Sequence, residues 1–346
     1  MMRAAVCLGE TMAVLSPDPA IPVKTANNFR CGVGGAESNV AMGLAALGME
    51  TAWVSRVGDD GFGHKILDTL ADHQVNIASV QIDPHRPTGL YFKGEAAGPH
   101  ATPVLYHRRG SAAAAMSAEL LAEPAVAELL AGADLIHLSG ITPALSSSCR
   151  ELCASLLSAP RNGRIVSFDL NWHAQLWRDQ DPSVLRDLAN LADVVLLGED
   201  EAQLAFGTGL ESELRQLLPK PRTLVIKKGA ESAVSLHRTA DGSTRYEVSA
   251  LRVELLELVG AGDSSAAGYL SGLMNGLDER SRLRRGHLAA ACTLTVPGDR
   301  GPLPSEPLLS ALLACSESEE DWTATLVHPD GITSPVAERL VKSGQQ

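Results

Sequence analysis

From residue 116 onward the chain alternates helical and extended patterns with a regularity that few architectures accommodate. Apolar residues recur at helical spacing over 117–131, 144–158, 182–191, 200–206 and 211–217. Short apolar runs separate them at Leu135–Leu138, Ile165–Asp169, Val194–Leu197 and Leu224–Lys227. Strands joined through helices are βαβ units, and these build a mostly parallel sheet in an α/β fold. Ligands of such sheets collect beyond the carboxyl ends of the strands. The rule marks Asp169-Leu170-Asn171, Gly198-Glu199-Asp200-Glu201 and Lys227-Lys228-Gly229 as places to look for chemistry.

The rest of the chain is less uniform. Ala4–Leu8, Thr51–Val57 and Val75–Ile82 read as strands, with a helix over 62–73. Residues 13–30, broken by Pro17, Pro19 and Pro22, read as edge strands and loop. Thr88–Phe92 and Val104–Arg108 read as a hairpin outside the alternation, around a Gly/Pro-rich turn. A further antiparallel pair is expected over 233–253, turning at Asp241-Gly242, and a helix over 282–295. The stretch from Ser316, with its SESEED run, reads as a polar, mobile appendage.

Two glycine turns carry the chemistry. In ELVGAGDSSAAGYLSGL, Gly260, Ala261 and Gly262 precede a helix whose apolar positions Ala266, Tyr269, Leu270 and Leu273 share one face. A glycine turn opening a helix points free N–H groups and the positive dipole end at one spot, which makes an anion hole. Asp263, on the same turn, can take a proton from a hydroxyl held beside that hole. Together they are the minimal equipment for moving a phosphoryl group to an alcohol. The plainer alternative is an acid placed to suit the helix dipole. The earlier turn, Gly32-Val33-Gly34-Gly35-Ala36-Glu37-Ser38-Asn39, also opens a helix and offers Asn39 to hydroxyls; a close helix–strand packing turn fits it equally. Tyr91, Tyr106 and Arg108 are residue types suited to cover a polar ligand.

Composition narrows the classes. The 346 residues are 45% apolar and 20% charged, enough for a full core. A net charge of −12 disfavours nucleic acid or an anionic membrane as partner, so a phosphate-bearing ligand must rely on local N–H groups and a cation. The six cysteines form no CxxC pair and read as reduced thiols of a cytoplasmic protein. The first residues carry no secretory pattern, and no apolar run is long enough for a membrane span.

With both turns placed, the chain resembles the ribokinase-like carbohydrate kinases of the phosphofructokinase B type. GVGGAESNVAMGLAALG, VSRVGDDGFG and GAGD stand in that family's order, and the likeness spans roughly residues 3–315. It implies one doubly wound α/β domain over 1–315, with helices on both faces and a small β-sheet lid from residues about 12–30 and 88–110. Residues 316–346 lie outside it. ATP, Mg²⁺, a sugar substrate and a homodimer formed through the lid are also implied. TGLYF, YHRRGSAAAAM and IHLSGITPAL are most similar to the 2-keto-3-deoxygluconate kinases. By that resemblance Gly34, Asn39, Tyr91, Tyr106, Arg108, Asn171 and His173 line the substrate pocket. Asp263 is the base, and Gly260, Ala261 and Gly262 supply the anion hole. Lys227, Gly229, Gly298 and Gly301 fall near the nucleotide, and Glu201 orients the metal.

Some positions depart from the family pattern. Glu257, Leu258 and Val259 replace an aspartate and two threonines before GAGD, Ser265 replaces an aromatic residue, and Gly198 stands where an asparagine precedes the metal-orienting acid. His173 occupies the place of an arginine expected to hold a substrate carboxylate, and a neutral imidazole cannot fork a carboxylate as a guanidinium does. That change opens a second reading, a kinase for a neutral sugar such as fructose. A third is a catalytically silent sugar- or nucleotide-binding module, against which the intact Asp263 and GAGD turn weigh.

Overall fold

Short aliphatic runs bounded by polar turns become the strands of one nine-stranded sheet. The computed structural model describes residues 3–18, 21–94, 104–239, 242–314 and 319–343. Across the sheet the strands lie in the order Gly242–Ser249, Ser232–Thr239, Thr223–Lys228, Val194–Gly198, Ile165–Asp169, Leu135–Ser139, Ala4–Leu8, Glu50–Val54 and Val75–Asn76. All neighbouring pairs from Thr223–Lys228 to Val75–Asn76 are parallel, and the two strands beyond Thr223–Lys228 are antiparallel.

Alternation along each strand feeds two separate cores. Val6, Leu8, Ile136, Leu138, Val195 and Leu197 point into one; Ala5, Cys7, Leu135, Val194 and Leu196 point into the other. Both faces are therefore covered by helices, and the fold is the doubly wound one expected. The chain works outward from Ala4–Leu8 in one direction and then, from Leu135–Ser139, in the other. Order reverses between those two strands, and a crevice at such a switch point is where an α/β sheet holds its ligand.

A second sheet stands over that crevice. Its order is Phe29–Gly34, Met12–Pro17, Leu90–Lys93 and Val104–His107, drawn from the two segments anticipated for a lid. Met12, Val14 and Tyr91 are buried together on its inner face, against Val104 and Tyr106.

Five expectations change. Thr51–Val57 is two strands, Glu50–Val54 in the large sheet and Arg56–Gly58 outside it, with the break at Ser55. Val75–Ile82 is not one strand: Val75–Asn76 joins the large sheet and Gln81–Asp83 pairs with Arg56–Gly58, because Asn76 turns the chain by accepting the N–H of Ala78 at 2.9 Å. Helix 117–131 is a 3₁₀ segment, Ala118–Ala122, followed by the helix Pro124–Gly132, since proline has no N–H to continue a helix and starts one well. Helix 144–158 is likewise two pieces, Thr142–Leu145 and Ser147–Ser158, the second capped by Ser146. The C-terminal stretch is no loose appendage among its described residues. Trp322 is fully buried, its Nε1 donates to Ser249 O at 2.7 Å, and the Arg284 guanidinium lies 5.2 Å over its ring. Leu326–His328 then pairs with Arg252–Val253 and Gly331–Thr333 in a small sheet. Trp322, Val327 and Val336 supply the apolar surface that the acidic run masked. The expected turn at Asp241 and that of the lid hairpin lie outside the described residues.

Candidate active site

Two helices meet at the crevice. Ala36–Ala46 packs on Ala261–Met274 so closely that a Cβ on Gly43 would come within 2.7 Å of Ala267 Cβ. One turn earlier along the first helix, Asn39 faces the start of the second. Its Nδ2 donates to Asp263 Oδ2 at 2.9 Å. Gly260 caps the second helix with φ of +82°, a left-handed conformation glycine adopts freely. A side chain there would also strike Asp299 O, 2.1 Å from the Cβ position. The N–H groups of Ala261, Gly262 and Asp263 open the helix and have no acceptor further back in it, so they are free for an anion.

Asp263 sits on the cleft floor. Asn171, whose φ of +40° is a conformation asparagine tolerates, brings Nδ2 to 3.5 Å from Asp263 Oδ1. Burial pushes the Asp263 carboxyl up to about 8. The Asn39 bond opposes that rise, the like charges of Asp169 and Asp299 add to it, and Lys227 counters them. A base of this strength is matched to taking a proton near neutral pH.

Deeper in, Lys227 Nζ lies 3.0 Å from Asp169 Oδ2. Burial works to lower the lysine pKa, but Asp169 and Glu201 hold it charged and raise it. Glu201 is itself raised, by burial first and by Asp169, with Lys227 opposing. Its Oε2 accepts the Gly198 N–H at 2.9 Å, so it caps its helix as well as facing the cleft. Among the described residues no cluster of three or more His, Cys, Asp or Glu could hold a metal ion. Glu201 beside Asp169 fits Mg²⁺ carried in on phosphate oxygens, the usual arrangement for that ion, rather than one caged by protein.

The cleft, of about 920 Å³, gathers most of the expected residues: Gly34, Asn39, Tyr91, Tyr106, Arg108, Asn171, His173, Glu201, Lys227, Gly260, Gly262 and Asp263 all line it. Ala261, Gly229, Gly298 and Gly301 are not on its lining. Gly298 donates its N–H to Glu257 Oε2 at 2.9 Å, while Gly301 packs on the Cys292 peptide, where a Cβ would meet the oxygen at 1.9 Å. Both glycines shape the turn that carries Asp299. On the lid, Tyr91 and Tyr106 face each other at 5.5 Å between centroids, and Arg108 lies 5.6 Å over Tyr106. Arg108 is not a free cation. Its Nε donates to the buried Glu10 at 2.7 Å, and Ser111 donates to the other Glu10 oxygen at 2.6 Å. His173 meets the Tyr106 ring edge-on at 6.1 Å, and burial together with Arg108 lowers its pKa, so it is neutral at pH 7.

Residues 2–306 match the model of the pfkB family of carbohydrate kinases. The chain belongs to that family. It is 33% identical over 327 residues to the 2-dehydro-3-deoxygluconokinase of Bacillus subtilis, covering 92% of this chain and 98% of the relative. A probable chloroplastic fructokinase of Arabidopsis thaliana is 30% identical over 328 residues, covering 89% and 80%. Among solved structures, a PfkB protein from Polaromonas superposes with a TM-score of 0.73 at 33% identity, covering 84% of this chain and 95% of that one.

Three residues of this carbohydrate kinase escaped the sequence reading. Asp299 lines the cleft with Oδ2 3.5 Å from Asn39 Nδ2, although only the glycines beside it drew notice. Lys93 lines it too, and period-two alternation on Leu90–Lys93 was the available signal, since a lid strand that aims Tyr91 inward also aims Lys93. Glu10 had no signal, because only the fold brings it to Arg108 across 98 positions.

Proposed function

We propose that this sugar kinase transfers the γ-phosphoryl group of ATP to a hydroxyl of 2-keto-3-deoxygluconate. The observation that carries the reading is the meeting of Asp263 with free helix N–H groups beneath a lid bearing Tyr91, Tyr106 and Arg108. The sugar lies between Gly34, Asn39 and the lid. The nucleotide takes the side toward Lys227, Gly229 and the Gly298–Gly301 turn. Asp263 removes the hydroxyl proton, and the N–H groups of Ala261 and Gly262, with the Gly260 turn, face the charge that develops on the transferred group. Glu201 and Asp169 would orient Mg²⁺, and the ion would supply neutralisation of phosphate charge. Arg108 is paired with Glu10 but still lines the cleft, and the N–H donors that this pair leaves over are suited to a substrate carboxylate. The 33% identity to a named 2-dehydro-3-deoxygluconokinase supports the same substrate.

A neutral sugar such as fructose is the second reading, favoured by His173, which adds no charge beside Arg108. ADP release measured over a panel of keto-acid sugars and neutral hexoses decides between them. The keto-acid is expected to give the highest kcat/KM, and preference for fructose would overturn that assignment. We also infer a homodimer formed through the lid, whose outer strands leave edges to be covered and whose Leu105 is 57% exposed. Light scattering at a monomer mass of 36.4 kDa with full activity would contradict it.

A further inference from the structure

The lid strand Leu90–Lys93 ends by sending a cation across the cleft. Lys93 Nζ lies 2.8 Å from Glu257 Oε1 and 3.0 Å from Asp299 Oδ1, and its side chain is 12% exposed. Both partners belong to the catalytic end of the large domain. Glu257 precedes the Gly260 turn, and its other oxygen accepts the Gly298 N–H at 2.9 Å. Asp299 packs its backbone on Gly260 and turns Oδ2 toward the sugar side, where it would lie 2.8 Å from a Cβ on Gly34. One ammonium thus joins the lid, the anion hole and the sugar pocket.

Holding the lid down does not require a charge. Desolvation offsets most of the attraction in a buried ion pair, and an apolar contact would fasten the strand at least as well. What the ammonium adds is a fixed direction for a carboxylate. Without it, the Asp299 carboxylate would face Asp263 and Asp169 unscreened, because Lys227, the nearby cation, is already engaged by Asp169. Repulsion would turn Asp299 out of the site.

We propose that Lys93 is a positioning residue for the kinase reaction: lid closure delivers its ammonium to Asp299, and this aligns the Asp299 carboxylate with the sugar only when water is shut out. The kinetic consequence rests on the sugar-kinase reading, whereas the contact itself does not. Lys93→Met removes the charge and keeps the stem, Lys93→Gln is a second neutral variant should the first melt early, and Lys93→Arg restores the charge. In hydrogen exchange on the free enzyme, both neutral variants are expected to speed exchange by about tenfold in the segments 90–93, 104–107 and 297–302, with the large sheet unchanged and Lys93→Arg near wild type. In turnover they are expected to raise the sugar KM about tenfold with a smaller fall in kcat, and to raise ATP hydrolysis without sugar relative to sugar phosphorylation. Unchanged exchange in the 297–302 turn would overturn the proposal, as would a KM and hydrolysis ratio within about twofold of wild type. A wild-type enzyme that phosphorylates no sugar would instead refute the functional reading, and the exchange result would still decide whether Lys93 holds the turn.

Discussion

Replacing Asp299 by asparagine separates the charge of that residue from its shape. The Asn39 amide reaches Asp263 at 2.9 Å and Asp299 at 3.5 Å, so the two carboxylates stand within about 6 Å of each other. Two like charges at about 6 Å in an effective dielectric of about 20 repel by about 2.8 kcal/mol, or about two pK units. Lys93, 3.0 Å from Asp299, cancels part of that field, which leaves an expected effect of about one unit. In the proposed reaction Asp263 acts as a base when ionised, so activity is expected to rise with pH through a pKa of about 8. Removing the Asp299 charge makes ionisation easier and moves that limb to lower pH. The assay is kcat/KM for the sugar between about pH 5.5 and about pH 9.5, because this ratio reports the free enzyme. Loss of a sugar contact lowers the whole curve, but only the lost charge moves its midpoint. A midpoint that stays in place, or rises, would refute the reasoning.

Other consequences follow from the same geometry. Glu201→Gln keeps an oxygen for the Gly198 N–H and loses the charge, so the Mg²⁺ concentration for half-maximal activity should rise; an unchanged value would leave Glu201 as a helix cap alone. Asp263→Asn should be more stable than wild type at pH 8, by chemical denaturation, with the gap closing toward pH 4. The folded Asp263 pKa lies above the unfolded value, so the native state holds the extra proton between the two and the wild type loses stability as pH rises through that window. Trp322→Ala should cost about 3–5 kcal/mol in a urea titration, and a loss below about 1 kcal/mol would mean the C-terminal segment is not part of the core.

Much of the fold was legible because periodicity is a local property. The strand–helix alternation after residue 116 needs only neighbouring residues to state it, and the glycines of both turns mark where backbone lines the cleft. Asp263 could be singled out as a cleft residue for the same reason, since turn, acid and helix are contiguous. Contacts made across the fold were not legible. Arg108 reads as a cation awaiting an anion, yet Glu10, 98 positions away, already holds it. Lys227 reads as a nucleotide contact, and nothing local in the sequence announces its pairing with Asp169, 58 positions away. The C-terminal segment reads as an appendage because its charge masks three well-spaced apolar residues, Trp322, Val327 and Val336, that find their surface only on the finished domain.

In the proposed reaction Asp263 takes a proton from a sugar hydroxyl held beside the helix N–H groups while the γ-phosphoryl group moves to it. The most direct measurement follows label from γ-labelled ATP into sugar in a single turnover, for wild type and Asp263→Asn, with sugar affinity measured by calorimetry on both. The account predicts labelled sugar phosphate from the wild type and a transfer rate about 10²–10⁴-fold lower in the variant, with sugar affinity nearly unchanged. A variant that keeps more than about a tenth of the wild-type rate would contradict it.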